Sequence, residues 1–575
     1  GCQRRAARCE MQPLRLVLLS FLALGVSLRN HVHKHGGHLR DYILCSNVDG
    51  SLYSYKVSQH DPNRPFTSCP VDIARIQYAN SINQTGWALV DVEIANDKLP
   101  DYLQGYAAGF LEGRASRDLI GFHIANTVTG YCRGAEEYCK RLNRFLLNNF
   151  RFMKQQIAAN PDDIYWRHAN VTINQLVGMI NGFEDDLSGF LSDADIVSHP
   201  IYLLQIPWEV KDLEMKFHRP TSLRKPWATN GHCSALVKVS DDNTDLLTSQ
   251  VTWNSYSSML RVIKRYRFKL HDTPGTIYTF SGYPGTINSI DDFLLSSSQL
   301  AIWETTNENY NKDLMKLITH SQVPSWLRTQ IATRLASTAA EWAAIFARHN
   351  SGTCNNQWVI VDYKKFKPGM HKLPKGLIHI IELMPGHTRE EDFSEHLDKQ
   401  RYWPSFNKPY FESIYKLSGT DKMAEKFGDF YSYERTPRHL IFKRDQHKVQ
   451  DIDSMRTLMR YNDFKNDPLS RCNCSPPFSA DCAIAGRSDL NLPSGQYPFE
   501  DLSFKDLGAT DVKITNVELM KTLSFDAVSG PTHDPLPVFD WETSLLKDIV
   551  PHAGQPQQFK FKPLQHVWNQ RSMYS

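Results

Sequence analysis

The chain of 575 residues is predicted to fold as an α+β protein, because helical and strand patterns occupy separate stretches of the sequence. Residues 142–159 and 327–348 place apolar side chains at the spacing of amphipathic helices. Residues 233–239 alternate like a half-buried strand, and residues 358–361 form a short apolar run typical of a buried strand. Hydrophobic residues make up 41% of the chain and charged residues 22%, so the composition supports a large folded core.

Charge and composition exclude several classes of protein. The 65 Lys and Arg residues exceed the 62 Asp and Glu residues by a net charge of only +3. This excess is too small for a nucleic-acid-binding protein. The composition also excludes a disordered chain, a collagen and a multi-span membrane protein. We therefore expect a globular protein with no nucleic-acid partner and no transmembrane anchor.

The N-terminal residues have the pattern of an export signal. Residues 16–26 form an apolar run behind Arg15; the run is shorter than the roughly 20 residues of a bilayer span but matches a signal-peptide core. We assign residues 1–27 to a leader and signal peptide, with a buried N-terminal helix as the alternative. Asn83 and Asn170 begin N-glycosylation tripeptides. These signals predict entry into the secretory pathway, and so a location in the lumen of a secretory compartment or in the extracellular space.

Nine cysteines follow the predicted signal peptide, so at least one thiol stays unpaired in an oxidising compartment. The short spacing of Cys132 and Cys139 favours a local disulfide. Cys472, Cys474 and Cys482 form a second cluster without a paired CxxC or HxxxH pattern, so disulfide bonding is favoured over zinc. The 22 His residues show no spacing that assembles metal ligands. We predict no metal and no cofactor.

A cysteine behind a basic linker has a specific chemical use. Residues 215–231 combine two Pro, one Gly and four Lys or Arg residues, which predicts an exposed linker that ends before the strand at Cys233. Attack of the Cys233 thiol on the preceding carbonyl, followed by hydrolysis, would cut the bond after His232. The new α-amine has a pKa of about 7.7–8.0 and can accept the thiol proton. A buried structural cysteine is the alternative.

Long motifs along the chain resemble those of one known family. They are NGHCSA at 230–235, TWNSY at 252–256, MLR at 259–261, YPGT at 283–286, SIDDF at 289–293, ETTN at 304–307, NNQW at 355–358 and RSDLN at 487–491. From about residue 40 to its C-terminus, the chain resembles the phospholipase B-like proteins, lysosomal N-terminal nucleophile hydrolases. The resemblance implies an αββα four-layer sandwich, in which two stacked antiparallel sheets are covered by helices on both outer faces.

The resemblance also implies self-cleavage between His232 and Cys233. The two fragments, residues 28–232 and 233–575, would stay associated as one globular unit, so the N-terminal fragment is the expected partner of the rest. Cys233 would be the catalytic nucleophile, acting on an acyl lipid or an acyl-amide substrate. The oligomeric state stays open, a homodimer included.

The same resemblance places further residues in the site. Thr305 and Asn407 match polar positions whose donors would hold the substrate carbonyl or its oxyanion; each would otherwise satisfy buried backbone groups. Trp253 would line the site beside the thiol, although core packing also suits an indole.

Three other residues have a pocket role and a structural alternative. Asn355 and Asn356 would line the substrate pocket, or would cap the turn before the strand at Trp358. Arg438 would clamp a substrate anion, or would form a structural ion pair.

Two positions depart from the family pattern. The family usually has His where this chain has the pocket residue Gln250, and Gln cannot exchange a proton near neutral pH. Cys354 replaces a usual Tyr and adds a second thiol. The leading hypothesis is a self-cleaving thiol hydrolase that removes acyl chains from phospholipids. The alternative, which Gln250 favours, is a non-catalytic, self-cleaved glycoprotein that binds a lipid or another partner.

Overall fold

The computed structural model describes residues 39–47, 51–57, 70–187, 189–220 and 232–568. All of these described residues belong to one compact unit. The predicted leader and signal peptide, and residues 221–231 of the predicted linker, lie outside the described residues.

Eleven strands form the larger of two β-sheets. With strands numbered in chain order, they are β1 (Leu39–Ser46), β2 (Leu52–Val57), β3 (Val71–Ser81), β4 (Trp87–Ile94), β7 (Arg261–Arg267), β8 (Ile277–Gly282), β9 (Phe293–Ser296), β10 (Leu300–Thr306), β11 (Asn356–Asp362), β12 (Ile378–Met384) and β13 (His387–Asp392). Their spatial order is β13-β12-β11-β10-β9-β8-β7-β4-β3-β1-β2. The β4–β7 pair is parallel, and the other pairs of this sheet are antiparallel.

Seven strands form the smaller, antiparallel sheet. They are β5 (His232–Val239), β6 (Leu246–Ser255), β14 (Tyr402–Ser405), β15 (Leu507–Ala509), β16 (Asp511–Thr515), β17 (Asp526–Ser529) and β18 (Leu564–Gln565). The spatial order is β14-β5-β6-β16-β17-β18, and β15 pairs with the end of β6. The predicted strands at 233–239 and 358–361 are confirmed as β5 and as part of β11.

Helices connect the strands and flank the sheets. They are α1 (Ile82–Thr85), α2 (Asp101–Ala115), α3 (Arg117–Thr127), α4 (Glu136–Ala159), α5 (Ile164–Glu184), α6 (Asp193–Ser198), α7 (Pro200–Gln205), α8 (Pro207–Lys216), α9 (Ser325–Leu335), α10 (Ala339–Ala347), α11 (Ser394–Gln400), α12 (Glu412–Leu417), α13 (Thr420–Phe427), α14 (Pro437–Asp445), α15 (Ile452–Met459) and α16 (Val517–Met520). Throughout the described ranges, every helix is too short or too polar to cross a membrane.

Apolar side chains pack on both faces of each sheet. Between the sheets, β5 residues such as Ala235 and Val237 share a core with Val359 and Val361 of β11. The other face of the larger sheet packs against α2 and α10. The other face of the smaller sheet packs against α14 and α15. The mixed α and β architecture is therefore confirmed, with two large sheets stacked face to face.

The helix predicted at 142–159 is confirmed within α4. The single helix predicted at 327–348 is wrong, because the chain forms two helices, α9 and α10, separated at residues 336–338. Thr338 begins the second helix by accepting the amide of Glu341 on its side-chain oxygen. A Thr side chain in this position caps a helix start, which the apolar spacing alone does not reveal.

Glycines bring α2 and α5 unusually close together. A Cβ built on Gly109 would lie 1.9 Å from the carbonyl oxygen of Gln175, and one on Gly182 would lie 2.0 Å from that of Phe110. No side chain larger than hydrogen fits at such a separation, so the glycines hold the helices backbone to backbone.

The predicted linker begins later than residue 215, since α8 continues through Lys216. Arg219 is also buried, with its guanidinium 4.1 Å from the centre of the Tyr131 ring.

The predicted disulfide between Cys132 and Cys139 is present. In the second cysteine cluster Cys472 pairs with Cys474. The assignment of Cys482 to a disulfide is corrected: Cys482 is a buried free thiol, because its two close sequence neighbours satisfy each other.

Candidate active site

Cys233 lies at the start of β5, between two neighbouring strands of the smaller sheet. It pairs with Thr252 of β6, and β14 flanks β5 on the other side. Opposite residues of an antiparallel pair share one face, so Cys233, Ala235, Gln250 and Thr252 all face the larger sheet. Cys233 is 3% exposed while it remains joined to His232.

Two side chains hold the backbone of Cys233. Its amide donates to Asn407 Oδ1 at 2.9 Å. Arg438 Nη1 donates to the Cys233 carbonyl at 2.6 Å and to the same Asn407 oxygen at 2.9 Å. The three residues therefore form one hydrogen-bonded group around the nucleophile candidate.

Asn407 connects this group to the larger sheet. Its Nδ2 donates to the Thr306 carbonyl at 2.8 Å, and its amide donates to Thr305 Oγ1 at 3.3 Å. Thr305 Oγ1 also lies 2.6 Å from Ser405 Oγ. The φ angle of Asn407 is +64°, a left-handed conformation that Asn adopts more readily than most residues. Asn407 thus bonds to Cys233, and Thr305 bonds to Asn407.

The Trp253 indole lies on the face of the smaller sheet that packs against α14 and α15. It stands edge-on to the His232 ring at 6.0 Å, and the Arg438 guanidinium lies 4.9 Å from its centre. Burial raises the pKa of the Cys233 thiol, and a hydrogen bond from the Trp253 amide to sulfur opposes part of this rise. Trp253 therefore adjoins the thiol with its backbone and covers His232 with its ring.

Gln250 is buried between the two sheets. Its Nε2 donates to the carbonyls of Asp291 at 2.6 Å and Glu304 at 3.0 Å. Both donors of this amide are thereby used in joining β6 to the larger sheet. These contacts give Gln250 a structural role. Its side chain lies on the same face of the smaller sheet as that of Cys233.

Asn356 begins β11, and Asn355 lies in the turn directly before it. Asn355 Nδ2 donates to the Gly352 carbonyl at 3.1 Å, as a turn residue does. Asn356 Nδ2 lies 3.4 Å from the buried Cys354 sulfur. Asp212 of α8 accepts the Cys354 amide at 2.9 Å. A residue from before the predicted cleavage point therefore fixes this turn.

A buried ionic cluster, formed by Arg261, Asp291, Asp511 and Lys513, lies beside Thr252. Arg261 pairs with both carboxylates, and Lys513 lies 2.9 Å from Asp511. Lys513 Nζ also donates to Thr252 Oγ1 at 2.6 Å. The cluster places fixed charges next to the strand partner of Cys233.

Two acids close to this cluster hold protons more tightly than usual. Burial raises the pKa of Glu304 to about 8. Burial and the adjacent Glu304 carboxyl raise the pKa of Asp292 well above its ordinary range. Burial, followed by the charge of Glu304, raises the pKa of the Cys233 thiol, and Lys513 opposes this effect. In the uncut chain the thiol therefore keeps its proton.

Sequence reasoning did not identify Lys513, Asp511, Glu304 or Thr252 as site residues. A usable signal was present, because polar side chains recur at every second residue of buried strands: Thr248, Gln250 and Thr252 in β6, and Asp511 and Lys513 in β16. Such a pattern indicates a polar layer inside a sheet rather than a solvated face.

The predicted glycosylation sites lie on helices of the N-terminal part. Asn83 is exposed on α1, and Asn170 is half-buried on α5, where its side-chain oxygen accepts from Asn174. Both sites stay predictions.

Comparison with known proteins assigns the chain to a family. The family model "Phospholipase B" matches residues 74–566. "Putative phospholipase B-like 1" of Caenorhabditis elegans is 48% identical over 553 residues, which is 95% of each chain. "Putative phospholipase B-like 2" of Homo sapiens is 41% identical over 513 residues, covering 87% of this chain and 86% of that protein. On the breadth of these matches, the chain belongs to the phospholipase B-like family.

Proposed function

We propose that the chain cuts itself before Cys233 and then acts as a thiol hydrolase on acyl ester or amide bonds, phospholipid esters among them. The observation that carries the proposal is the arrangement around Cys233. Asn407 holds its amide, Arg438 holds its carbonyl and the Trp253 amide reaches its sulfur. Membership of the phospholipase B-like family supports a hydrolase role.

Self-cleavage starts with loss of the thiol proton and attack of sulfur on the His232 carbonyl carbon. The carbon–nitrogen bond breaks, the Cys233 nitrogen takes up the proton, and residue 232 is left as a thioester. Water hydrolyses the thioester, which frees the His232 carboxyl group and restores the thiol. The Lys513 ammonium favours the thiolate, because a nearby positive charge stabilises it.

Acyl transfer then uses the new α-amine as base. In the uncut chain Asn407 Oδ1 accepts the N–H of this same nitrogen, so it would orient the amine lone pair toward the thiol. The amine takes the thiol proton, sulfur attacks the acyl carbonyl, and the α-ammonium protonates the departing alcohol or amine. Water then hydrolyses the acyl thioester with the amine as base.

We also propose that the two stacked sheets and their outer helices form the αββα sandwich of N-terminal nucleophile hydrolases. The cores on both faces of each sheet support this assignment. A lysosomal or extracellular location belongs to the same proposal, supported by the disulfides and by the exposed Asn83.

A non-catalytic binding protein is the second candidate, and Gln250 favours it. Its two donors are engaged by backbone carbonyls, and an amide neither gains nor loses a proton near neutral pH. In that case the chain would hold a lipid or another partner without turnover.

N-terminal sequencing and intact mass of the protein from a eukaryotic host, held at acidic pH, test the proposal. We expect a fragment that begins Cys233-Ser234-Ala235. Cys233→Ala should abolish cleavage and activity, whereas Cys233→Ser should cut slowly, because a hydroxyl is the weaker nucleophile. A fully cut Cys233→Ala protein refutes the mechanism. If the wild-type protein is cut but its thiol accepts no acyl group from lipids or acyl amides, the binding function is the remaining candidate.

A further inference from the structure

Within the described part of the chain, two buried cations that donate to Asn407, the residue that holds the Cys233 amide, form no ion pair. Arg438 is 3% exposed and Lys408 is 6% exposed. Arg438 donates to uncharged oxygens of Cys233, Ser234 and Asn407. Lys408 Nζ donates to the Asn407 carbonyl at 3.3 Å. Among the residues that the structure describes, no carboxylate lies within 4.0 Å of either cation.

Aromatic rings, rather than carboxylates, surround the Lys408 ammonium. It lies 5.2 Å from the centre of the Phe430 ring and 5.1 Å from that of the Tyr431 ring. Burial, reinforced by the charge of Arg438, lowers the pKa of Lys408 to about 8. A buried cation without a counter-ion destabilises a folded protein, so its presence requires a reason.

The nearest acids are engaged elsewhere. Glu308 pairs with Lys211, and Asp501 accepts the Tyr431 hydroxyl at 2.9 Å. Asp481 accepts hydrogen bonds from Ser488 and Asn491, at 2.6 and 2.7 Å. Their charges reach the two cations only over longer distances.

His232 borders the same space. Its ring adjoins Trp253, and the charges of Asp501 and Arg438 act on it. Arg438 packs on the same Trp253 ring, and Lys408 and Arg438 both donate to Asn407, so the two basic side chains and His232 are connected through residues that adjoin Cys233. Once the bond after His232 is cut, departure of that residue would uncover the cations beside the nucleophile.

We propose that Lys408 and Arg438 form a subsite for the phosphate group of an acyl substrate, adjoining Cys233. This inference rests on the proposed function, since it assigns a substrate class to that site. A guanidinium binds phosphate oxygens in a planar fork and an ammonium binds them as a point charge. The favoured substrates therefore carry a phosphate close to the scissile acyl bond, and neutral acylglycerols or acyl amides are poorer ones.

A matched pair of substrates tests the subsite in the self-cleaved protein. We compare kcat/KM for a 1-acylglycerol 3-phosphate and for the 1-acylglycerol with the same chain. Lys408→Met should lower the ratio of the two values by about tenfold or more, the effect of losing one charge-assisted hydrogen bond. Lys408→Arg should retain most of the parent's preference for the phosphate-bearing substrate. Lys416→Met, which removes an exposed lysine paired with Glu412, should leave the ratio unchanged.

A binding measurement separates failure of the subsite from failure of the function. Calorimetry compares dodecyl phosphate with dodecanol as ligands of the self-cleaved protein. If neither acyl compound is hydrolysed, the proposed activity on these esters fails, but tighter binding of dodecyl phosphate that Lys408→Met abolishes still supports the subsite. Equal affinities in the parent, or an unchanged preference in Lys408→Met, overturn it.

Thermal unfolding shows whether Lys408→Met is folded. Removal of a buried, unpaired charge should raise its melting temperature while phosphate preference falls. A lower melting temperature combined with loss of both ligands would mean a structural role and would also overturn the proposal.

Discussion

Asn407 Oδ1 is the atom on which the arrangement around Cys233 converges. It accepts from the Cys233 amide and from Arg438. The family resemblance placed Asn407 in the site from its motif, but as a donor to the substrate. Its actual partners depend on a left-handed backbone and on the adjacent ends of β14 and β10, which lie about a hundred residues apart in sequence. Such a contact cannot be predicted from one local motif.

The contacts of Arg438 also depend on the assembled fold rather than on a local motif. A structural ion pair was one of its two predicted roles, and in the described residues the guanidinium contacts neutral oxygens and an indole instead. Sequence shows that an arginine is present, but the absence of a nearby carboxylate is a property of the assembled fold.

Gln250→Leu should destabilise the protein by about 2–4 kcal/mol, because the buried carbonyls of Asp291 and Glu304 would each lose a donor. Urea unfolding of the uncut Cys233→Ala protein measures this change without interference from cleavage. Gln400→Leu, at an exposed position, is the control and should change stability by less than about 0.5 kcal/mol. Equal stabilities for the two variants would show that the bridge between the sheets contributes nothing.

At the scale of single elements, periodic patterns predicted the strands and α4 correctly. They failed where one side chain redirects the backbone, as Thr338 does between α9 and α10. They also gave no indication of the α2–α5 contact, which is made by glycines that contribute no apolar side chain. Spacing of apolar residues reports which face is buried, and not how closely two helices approach.

Gly109→Ala should destabilise the fold by about 3 kcal/mol or more, since the new Cβ would overlap the Gln175 carbonyl oxygen and force α2 from α5. Gly121→Ala on α3 is the matched control, because outside its own helical turn no heavy atom lies within 4 Å of the added methyl group. That change should stabilise the protein by about 0.5–1 kcal/mol. Chemical denaturation measures the stability of both variants. A change in the same direction for the two would contradict this packing argument.

For the whole molecule, buried acids dominate the expected response to pH. Burial raises the pKa of Glu209, Asp212 and Glu382 to about 7 each, and that of Glu304 to about 8. The folded state thus keeps protons that the unfolded state releases near pH 4–4.5. Their contribution to stability is complete below that pH and is lost as the pH rises through about 7 to 8.

Unfolding free energy should therefore be higher at pH 5 than at pH 8, as measured by denaturation at a series of pH values. Asp501 acts in the opposite direction, because its pKa in the folded state is lowered to about 2. Its contribution to stability is present above about pH 4 and is lost as the pH falls toward 2. Glu209→Gln should match the parent at pH 5 and exceed it by up to about 3 kcal/mol at pH 8.

The exposed Glu395 provides the control for that measurement, because Glu395→Gln should leave the pH profile of stability unchanged above pH 5. A Glu209→Gln profile parallel to that of the parent would show that Glu209 is already ionised in the folded protein at pH 5.

The parallel β4–β7 pair makes the larger sheet depend on the order of synthesis. Asp91 of β4 is neutralised by Arg265 of β7, which follows it by 174 residues. At 5–20 residues per second, the ribosome needs about 10–35 seconds to supply that partner. Until then the nascent chain presents an unpaired strand edge and an unneutralised acid to the surrounding chaperones. Cleavage before Cys233 in this interval would divide the sheet before its two parts had met. The proposed site avoids this order of events, because Asn407 and Arg438, which hold the Cys233 backbone, are synthesised after β7.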